Sequence, residues 1–211
     1  SRGLGDVYKR QDGDIETAID NLRKSGQAKA AKKAGNIAAD GAIIIAQEGN
    51  KALLLEVNCQ TDFVAKDANF TAFANKVAEL ALANNTTDVA AISALPYGDG
   101  QTVEEARVEL VQKIGENIQV RRAEVIEGDN LASYRHGIRI GVVVSVEGGN
   151  ADTAKHVAMQ VAAFNPIAVD EANVPADILA REKDIIEAKA KESGKPDAVI
   201  EKMITGGLQK Y

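Results

Sequence analysis

Tryptophan is missing from this 211-residue chain, phenylalanine and tyrosine occur four times each, and there is one cysteine. A lone cysteine excludes an internal disulfide and fits a reducing compartment. Cys59 is then either a small buried apolar residue or a reactive thiol, with burial the commoner outcome. Positive charge is short as well: 25 Lys and Arg against 31 Asp and Glu leave a net charge of -6. Such a chain lacks the basic field that supplies most affinity for phosphate backbones, so direct binding to nucleic acid is not expected. The longest apolar runs, Ala52 to Leu55 and Ile140 to Val144, are far too short to span a bilayer. No charged segment followed by an apolar one opens the chain. The expectation is a cytoplasmic protein without a membrane partner.

Signals of enzyme chemistry are equally scarce. The two histidines, His136 and His156, fall on separate elements with no carboxylate or cysteine at metal-ligand spacing, so no metal is expected. Walker-type glycine loops, dinucleotide fingerprints and nucleophile elbows are absent, and Asp12-Gly13-Asp14 lacks the remainder of a calcium loop. A Cys59/His136 nucleophilic pair would still need an orienting group and an oxyanion site, and neither is visible. No catalytic residue, cofactor or metal is assigned.

What the chain does have is hydrophobic pattern, since 45% hydrophobic and 27% charged residues suit a globular protein with a core. Residues 1–11 show no periodicity and are set apart as a tail outside the fold. Asp14 can cap a short helix carrying Ile15, Ala18, Ile19 and Leu22, which Gly26 can close. Lys29, Lys32 and Lys33 follow in a basic helical connector. Ile37 to Gln47 and Ala52 to Asn58 flank a Glu48-Gly49-Asn50-Lys51 turn and predict a β-hairpin. Phe70, Phe73, Ala74, Val77, Leu80 and Ala81 recur at helical spacing and predict a core-facing helix. After a polar linker around Pro96 to Gly100, Val103, Ala106, Leu110, Val111 and Ile114 mark another helix, ended by Gly115.

The second half repeats the first. Strands are expected over Ile118 to Glu127 and Ser133 to Val146, separated by a Gly128-Asp129-Asn130 turn, then a helix from about Asp152 to Phe164. Ala74, Val77, Ala78, Ala83 and Asn85 match Ala154, Val157, Ala158, Ala163 and Asn165 at a constant offset of 80. From Pro175 a charged segment with Ile178, Leu179, Ile185 and Ile186 breaks at Ser193 to Pro196. Val199, Ile200, Met203, Ile204 and Leu208 follow, which together read as an antiparallel helical hairpin. The fold class is therefore α+β: two related subdomains of antiparallel strands plus helices, preceded by a remnant of a small helical domain and followed by the hairpin. Boundaries are expected at 12–35 for the helical remnant with its connector, 36–117 and 118–173 for the subdomains, and 174–211 for the hairpin.

One segment is left over by that repeat. Seventeen positions lead from Val57 to Ala74 but eight from Val146 to Ala154, so the first unit carries nine extra residues, within Asn58 to Asp67. They include Phe63, an aromatic among polar neighbours. Two readings stay open on local features: Phe63 staples the start of the next helix, or it anchors a contact with a partner.

Residue order and spacing then point to a family. The segments are Gly13-Asp-Ile-Glu-x-Ala-Ile-x-Asn, Lys29-Ala-Ala-Lys-Lys-Ala-Gly-Asn, Ala38-Ala-Asp-Gly, Leu55-Glu-Val-Asn-Cys-Gln-Thr-Asp-Phe-Val-Ala-Lys-Asp, Lys113-Ile-Gly-Glu-Asn-Ile, Ser133-Tyr-x-His-Gly and Gly194-Lys-Pro. In these the chain closely resembles the bacterial-type translation elongation factor Ts family over residues 12–211. The resemblance implies a guanine-nucleotide exchange factor that releases GDP from elongation factor Tu without making a covalent bond. A passive chaperone or scaffold for the same GTPase is the alternative. On the family pattern Asp62 and Phe63, flanked by Thr61 and Val64, fall on the pair that wedges into the GTPase. Lys33, Ile114, Gly115 and His136 fall on further contact positions. The resemblance also implies a chain shortened at both ends, because residues 1–11 do not match the family's earlier helices and the continuation after Tyr211 is absent.

Overall fold

The structure, a computed structural model, describes residues 15–211. The tail 1–11, the Asp12-Gly13-Asp14 segment and the cap assigned to Asp14 lie outside the described residues. The architecture is α+β, as the sequence pattern implies, and the chain divides into a unit ending at Phe164 and a second running from Asn165 to Tyr211.

In the first unit, helix α1 (Ile15–Ala34) leads into β1 (Asp40–Glu48) and β2 (Lys51–Cys59), an antiparallel pair in register from Asp40 opposite Cys59 to Glu48 opposite Lys51. The two-residue loop between them starts at Gly49 with φ 57°, a conformation glycine adopts at no steric cost. β2 is the middle strand of the sheet, because β5 (Gln119–Glu127) pairs antiparallel with its other edge. Leu53, Leu55, Val57 and Cys59 alternate along β2 and all point into the core, as the period-two geometry of a strand requires. Helix α3 (Ala68–Ala83) covers this face with Phe70, Phe73, Ala74, Val77, Ala78 and Ala81. Helix α4 (Val89–Ala94) and helix α5 (Val103–Ile114) complete the cluster with Ile92, Val103, Leu110 and Val111.

Four expectations are corrected here. Gly26 does not end a helix, since α1 runs through it to Ala34. Gly26 is buried where α1 packs on α5, and a Cβ there would meet the flexible amide end of Gln112, 2.6 Å from Oε1. The linker around Pro96 to Gly100 is a ribbon of β3 (Pro96–Gly98) and β4 (Gln101–Thr102). It is pinned where the Tyr97 ring meets Phe73 at 5.8 Å and takes Lys76 Nζ over its face at 4.2 Å. The strand expected over Ser133 to Val146 is a hairpin, β6 (Leu131–His136) and β7 (Ile140–Ser145), reversed at Gly137 with φ 63°. Finally, β5, grouped by sequence with the second subdomain, hydrogen-bonds into the first sheet, with a bulge between Glu56 and Val57.

The repeat is visible in the backbone. Helix α6 (Ala151–Phe164) follows the β6–β7 hairpin as α3 follows β2, and Asn85 and Asn165, 80 positions apart, both leave their helices with positive φ, 47° and 46°. Burial differs between the copies. Val77 is sealed in the core while Val157 is 39% exposed, because α6 packs on two strands rather than on a three-stranded sheet with further helices.

The second unit opens with a short 3-10 turn at Glu171–Asn173. It continues as a hairpin of α7 (Ala176–Glu192) and α8 (Asp197–Leu208), the predicted pair. Ala190 is its fully buried residue, and a Cβ on Gly207 would approach Ile186 Cγ2 to 2.9 Å, so this glycine lets the helices close up.

Two predictions follow from packing and capping. Gly41 lies at φ 150°, where a Cβ would run into the Val57 carbonyl oxygen and reach 2.8 Å from Asn58 Cα. Gly41→Ala is expected to lower unfolding stability by about 3 kcal/mol in urea titration, whereas Gly35→Ala, with open space around it, stays within about 0.5 kcal/mol. Asp67 caps α3 by accepting from the Asn69 and Phe70 amides. The Phe70 amide first, then the Asn69 side chain, hold its carboxyl below the usual aspartate range. A depressed folded value gives stability that is complete above the ordinary aspartate pKa and lost as pH falls through Asp67's own value. Asp67→Asn keeps a capping oxygen, so acid unfolding followed by circular dichroism should be less steep for this variant than for wild type over that interval.

Candidate functional site

Residues 58–67 leave the edge of β2 and fold into one helical turn, α2 (Asp62–Ala65), before α3 begins. Sequence explains the turn locally. Thr61 has an extended backbone and its side chain accepts from the Val64 amide at 3.4 Å, an N-cap. Asp67 starts the next helix immediately, so α2 has no room to lengthen. Asp62 sits at the first position of the turn with Lys66 Nζ 2.9 Å from its Oδ2. That hydrogen bond to Lys66 is the main cause lowering the Asp62 pKa. Val64 packs against the core and Ala65 is buried. Asp62 and Phe63 face solvent, and Phe63 is 81% exposed.

That exposure removes the staple reading: a stapling ring would be packed on the helix it starts. Phe164 is almost as exposed, so exposure alone is not what distinguishes Phe63. What distinguishes it is the framework behind it. The Glu116 carboxylate accepts from the Gln60 amide at 3.0 Å and the Thr61 amide at 3.1 Å through Oε2, and from the Thr61 hydroxyl at 2.7 Å through Oε1. Gln60 Oε1 accepts from the Asn117 amide at 2.8 Å and from Asn36 Nδ2 at 3.1 Å. Asn117, 2% exposed, donates its side-chain amide to the Asn36 carbonyl at 2.8 Å and the Ala34 carbonyl at 3.4 Å. Three separate stretches, the end of α1, the finger and the exit of α5, are thus bonded into one polar junction.

The predicted site residues distribute unevenly around it. Lys33 lies in the last turn of α1, its carbonyl accepting from the Asn36 amide at 2.9 Å. Ile114 is half-buried on the core and Gly115 is the exposed left-handed cap of α5, φ 87°, directly before Glu116. Those three border the junction that holds Thr61, Asp62, Phe63 and Val64. His136 does not: it ends β6, exposed, with Nδ1 3.3 Å from Tyr134 Oη, and among the described residues no hydrogen bond or ring contact links it to the finger. Glu116, Asn117 and Gln60 are the residues that pattern reading missed as a unit. The local signal was present in two polar residues following a glycine cap, but not their partners some 55 positions away.

Cysteine chemistry is not supported. Cys59 is fully buried, its Sγ donates to the Thr61 carbonyl at 3.2 Å, and burial, reinforced by Glu116 and Asp40, pushes its thiol up to about 12. A thiol in that state is a poor nucleophile, and His136 is engaged elsewhere. Among the described residues no cluster of His, Cys, Asp and Glu could hold a metal ion, and no helix is long and apolar enough to cross a membrane.

Comparison with known proteins matches the finger and what surrounds it. Residues 60–211 match the family described as Elongation factor TS. The Elongation factor Ts of Psychrobacter sp. (strain PRwf-1) is 82% identical over 205 residues, 97% of this chain and 70% of that protein. The Psychrobacter arcticus protein of the same name is 76% identical over the same length. An Acinetobacter baumannii Elongation factor Ts is 69% identical over 199 residues, 94% of this chain and 68% of the relative. With a rigidly mounted, solvent-facing aromatic at its edge and relatives this similar along nearly its whole length, the chain belongs to the elongation factor Ts family, whose role is in translation elongation.

Proposed function

We propose that this chain is a guanine-nucleotide exchange factor that promotes GDP release from elongation factor Tu. The observation that carries the reading is Phe63: a large apolar ring left 81% exposed on a turn whose backbone is fixed by hydrogen bonds from elsewhere in the fold. Burying such a ring is worth roughly 1.5–3 kcal/mol, and a mounting that is already ordered loses little further entropy on docking.

An exchange factor works by binding the nucleotide-free state of its partner better than the GDP-bound state, since only differential affinity displaces an equilibrium. A ring inserted between elements of the GTPase domain supplies such a difference if its gap opens only when the contacts to GDP loosen. Asp62 and Phe63 carry that contact in this reading, with Thr61 and Val64 at the base of the same surface. Lys33, Ile114 and Gly115 contribute the flanking contact, and His136 a separate one. The factor acts in the cytoplasm, uses no cofactor, touches no nucleic acid directly, and makes and breaks no covalent bond.

The test is the release of a fluorescent GDP from purified elongation factor Tu with and without this chain. Phe63→Ala is expected to reduce the acceleration by about tenfold or more, the loss implied by one buried ring. A variant as fast as wild type would overturn the role of the ring. Tight binding to elongation factor Tu with no faster release from the wild-type chain would replace exchange by a holding role.

A further inference from the structure

We infer that Glu116 is the positioning residue of the finger, and that it sets the rate of nucleotide release through Phe63 without touching the partner. This rests on the exchange reading of Phe63. Glu116 is not on the finger: it follows Gly115, the left-handed cap of α5, and so projects from the rigid end of a twelve-residue helix. From there its two oxygens take three donors on two consecutive residues, the amides of Gln60 and Thr61 and the Thr61 hydroxyl. Among the described residues it is the one side chain from outside 59–67 that bonds the backbone of that segment.

The third bond matters most for Phe63. By donating its proton to Glu116, the Thr61 hydroxyl is left with its lone pairs free, and one of them accepts the Val64 amide. The cap of α2 is therefore oriented by Glu116. Phe63 lies between the capping residue and the capped amide, so the direction in which its side chain leaves the backbone is set by the same bond. Hydrogen bonds to a charged carboxylate are roughly twice as strong as neutral ones, which is what a four-residue helix needs to stay formed. The carboxylate is held in turn: Asn117, the next residue, is buried and bonded to the carbonyls of Ala34 and Asn36. The backbone that carries Glu116 cannot shift without pulling a buried amide from its partners.

A residue that only helps the chain fold and one that aims the ring differ in kinetics. Loss of folded protein lowers the active concentration, which raises the half-saturating concentration of factor and leaves the plateau rate of GDP release intact. Misdirection of the ring lowers the plateau. The experiment measures GDP release from elongation factor Tu against concentration of the full chain for wild type, Glu116→Ala, Glu116→Gln and Phe63→Ala, and for the double variant. Glu116→Ala is expected to lower the plateau about tenfold, the loss of a charge-assisted bond expressed in rate. Glu116→Gln retains an oxygen for the two backbone amides but no acceptor for the Thr61 hydroxyl, so it should recover only part of the loss. In the Phe63→Ala background, Glu116→Ala should have almost no further effect, because the two act as one unit.

A Glu116→Ala plateau equal to wild type, or full additivity with Phe63→Ala, overturns the positioning role while leaving the exchange reading standing. No acceleration by wild type overturns the exchange reading itself. Amide hydrogen exchange reads the strut without reference to activity. Gln60 and Thr61 should lose protection in Glu116→Ala while the amides of α3 keep theirs, and unchanged protection at Gln60 and Thr61 would remove the physical basis of the inference.

Discussion

A chain can hold a bare aromatic ring in water only if something other than the ring's own burial fixes the backbone beneath it. Phe63 forfeits the roughly 1.5–3 kcal/mol that burying it would contribute, so the order of its turn has to be supplied from outside. Here the supply is polar. The Glu116 carboxylate closes on Gln60 and Thr61, Gln60 closes on Asn36 and Asn117, and Asn117 closes on the end of α1. Every one of these groups is a donor or acceptor that would be costly to leave unmade where it is partly buried, and among the described residues no buried side-chain polar atom lacks a partner. The rest of the first unit can be understood as what brings those three stretches within hydrogen-bond reach: β2 delivers Cys59 and Gln60, α5 delivers Glu116, and α1 ends beside both.

The sheet explains why this happens at one end of β2. β2 is paired on both edges, and its inward side chains are sealed beneath α3, so its exit at Cys59 is fixed in space. The bulge between Glu56 and Val57 lets β5 follow β2 to its end while the ladder changes register. Gly41, opposite Asn58, removes the side chain that would otherwise keep β1 from closing on the same exit. A finger on this base inherits the stiffness of a central strand, unlike the surface loops on which contact residues usually sit.

How much of this could be read from the sequence depended on the range of the interactions involved. The α3 face announces itself because Phe70, Phe73, Ala74 and Val77 are packed at intervals set by the helix itself, and α5 does so with its glycine stop. The finger was found by subtraction, since the two repeats agree on either side of it. Gly26 reads locally as a helix stop, whereas its burial beside Gln112 on α5 belongs to helix packing that no local period encodes. The turn at Gly137 carries no Asn-Gly or Asp-Gly pair, and Arg135-His136-Gly137 stands between two runs of strand-forming residues without a stronger local signal. The pairing of β5 with β2 and the bonds of Glu116 to Gln60 and Thr61 join residues more than fifty positions apart, and no local period encodes them. Of the candidate contacts, Asp62 and Phe63 were legible as the exposed face of the turn, whereas the inward commitments of Thr61 and Val64 were not.

Asp62 and Lys66 form an ion pair on the finger. In the free protein the finger's acid already has a cation one helical turn away, so the tip meets its surroundings close to electrically neutral despite the acidity of the whole chain. Both groups are largely in water, where such a pair is held loosely and is further weakened by salt. The carboxylate can therefore change cations at small cost. An approaching surface that offers its own positive group takes Asp62 and sets Lys66 loose beside it, so the tip's sign pattern is settled by whatever it docks against.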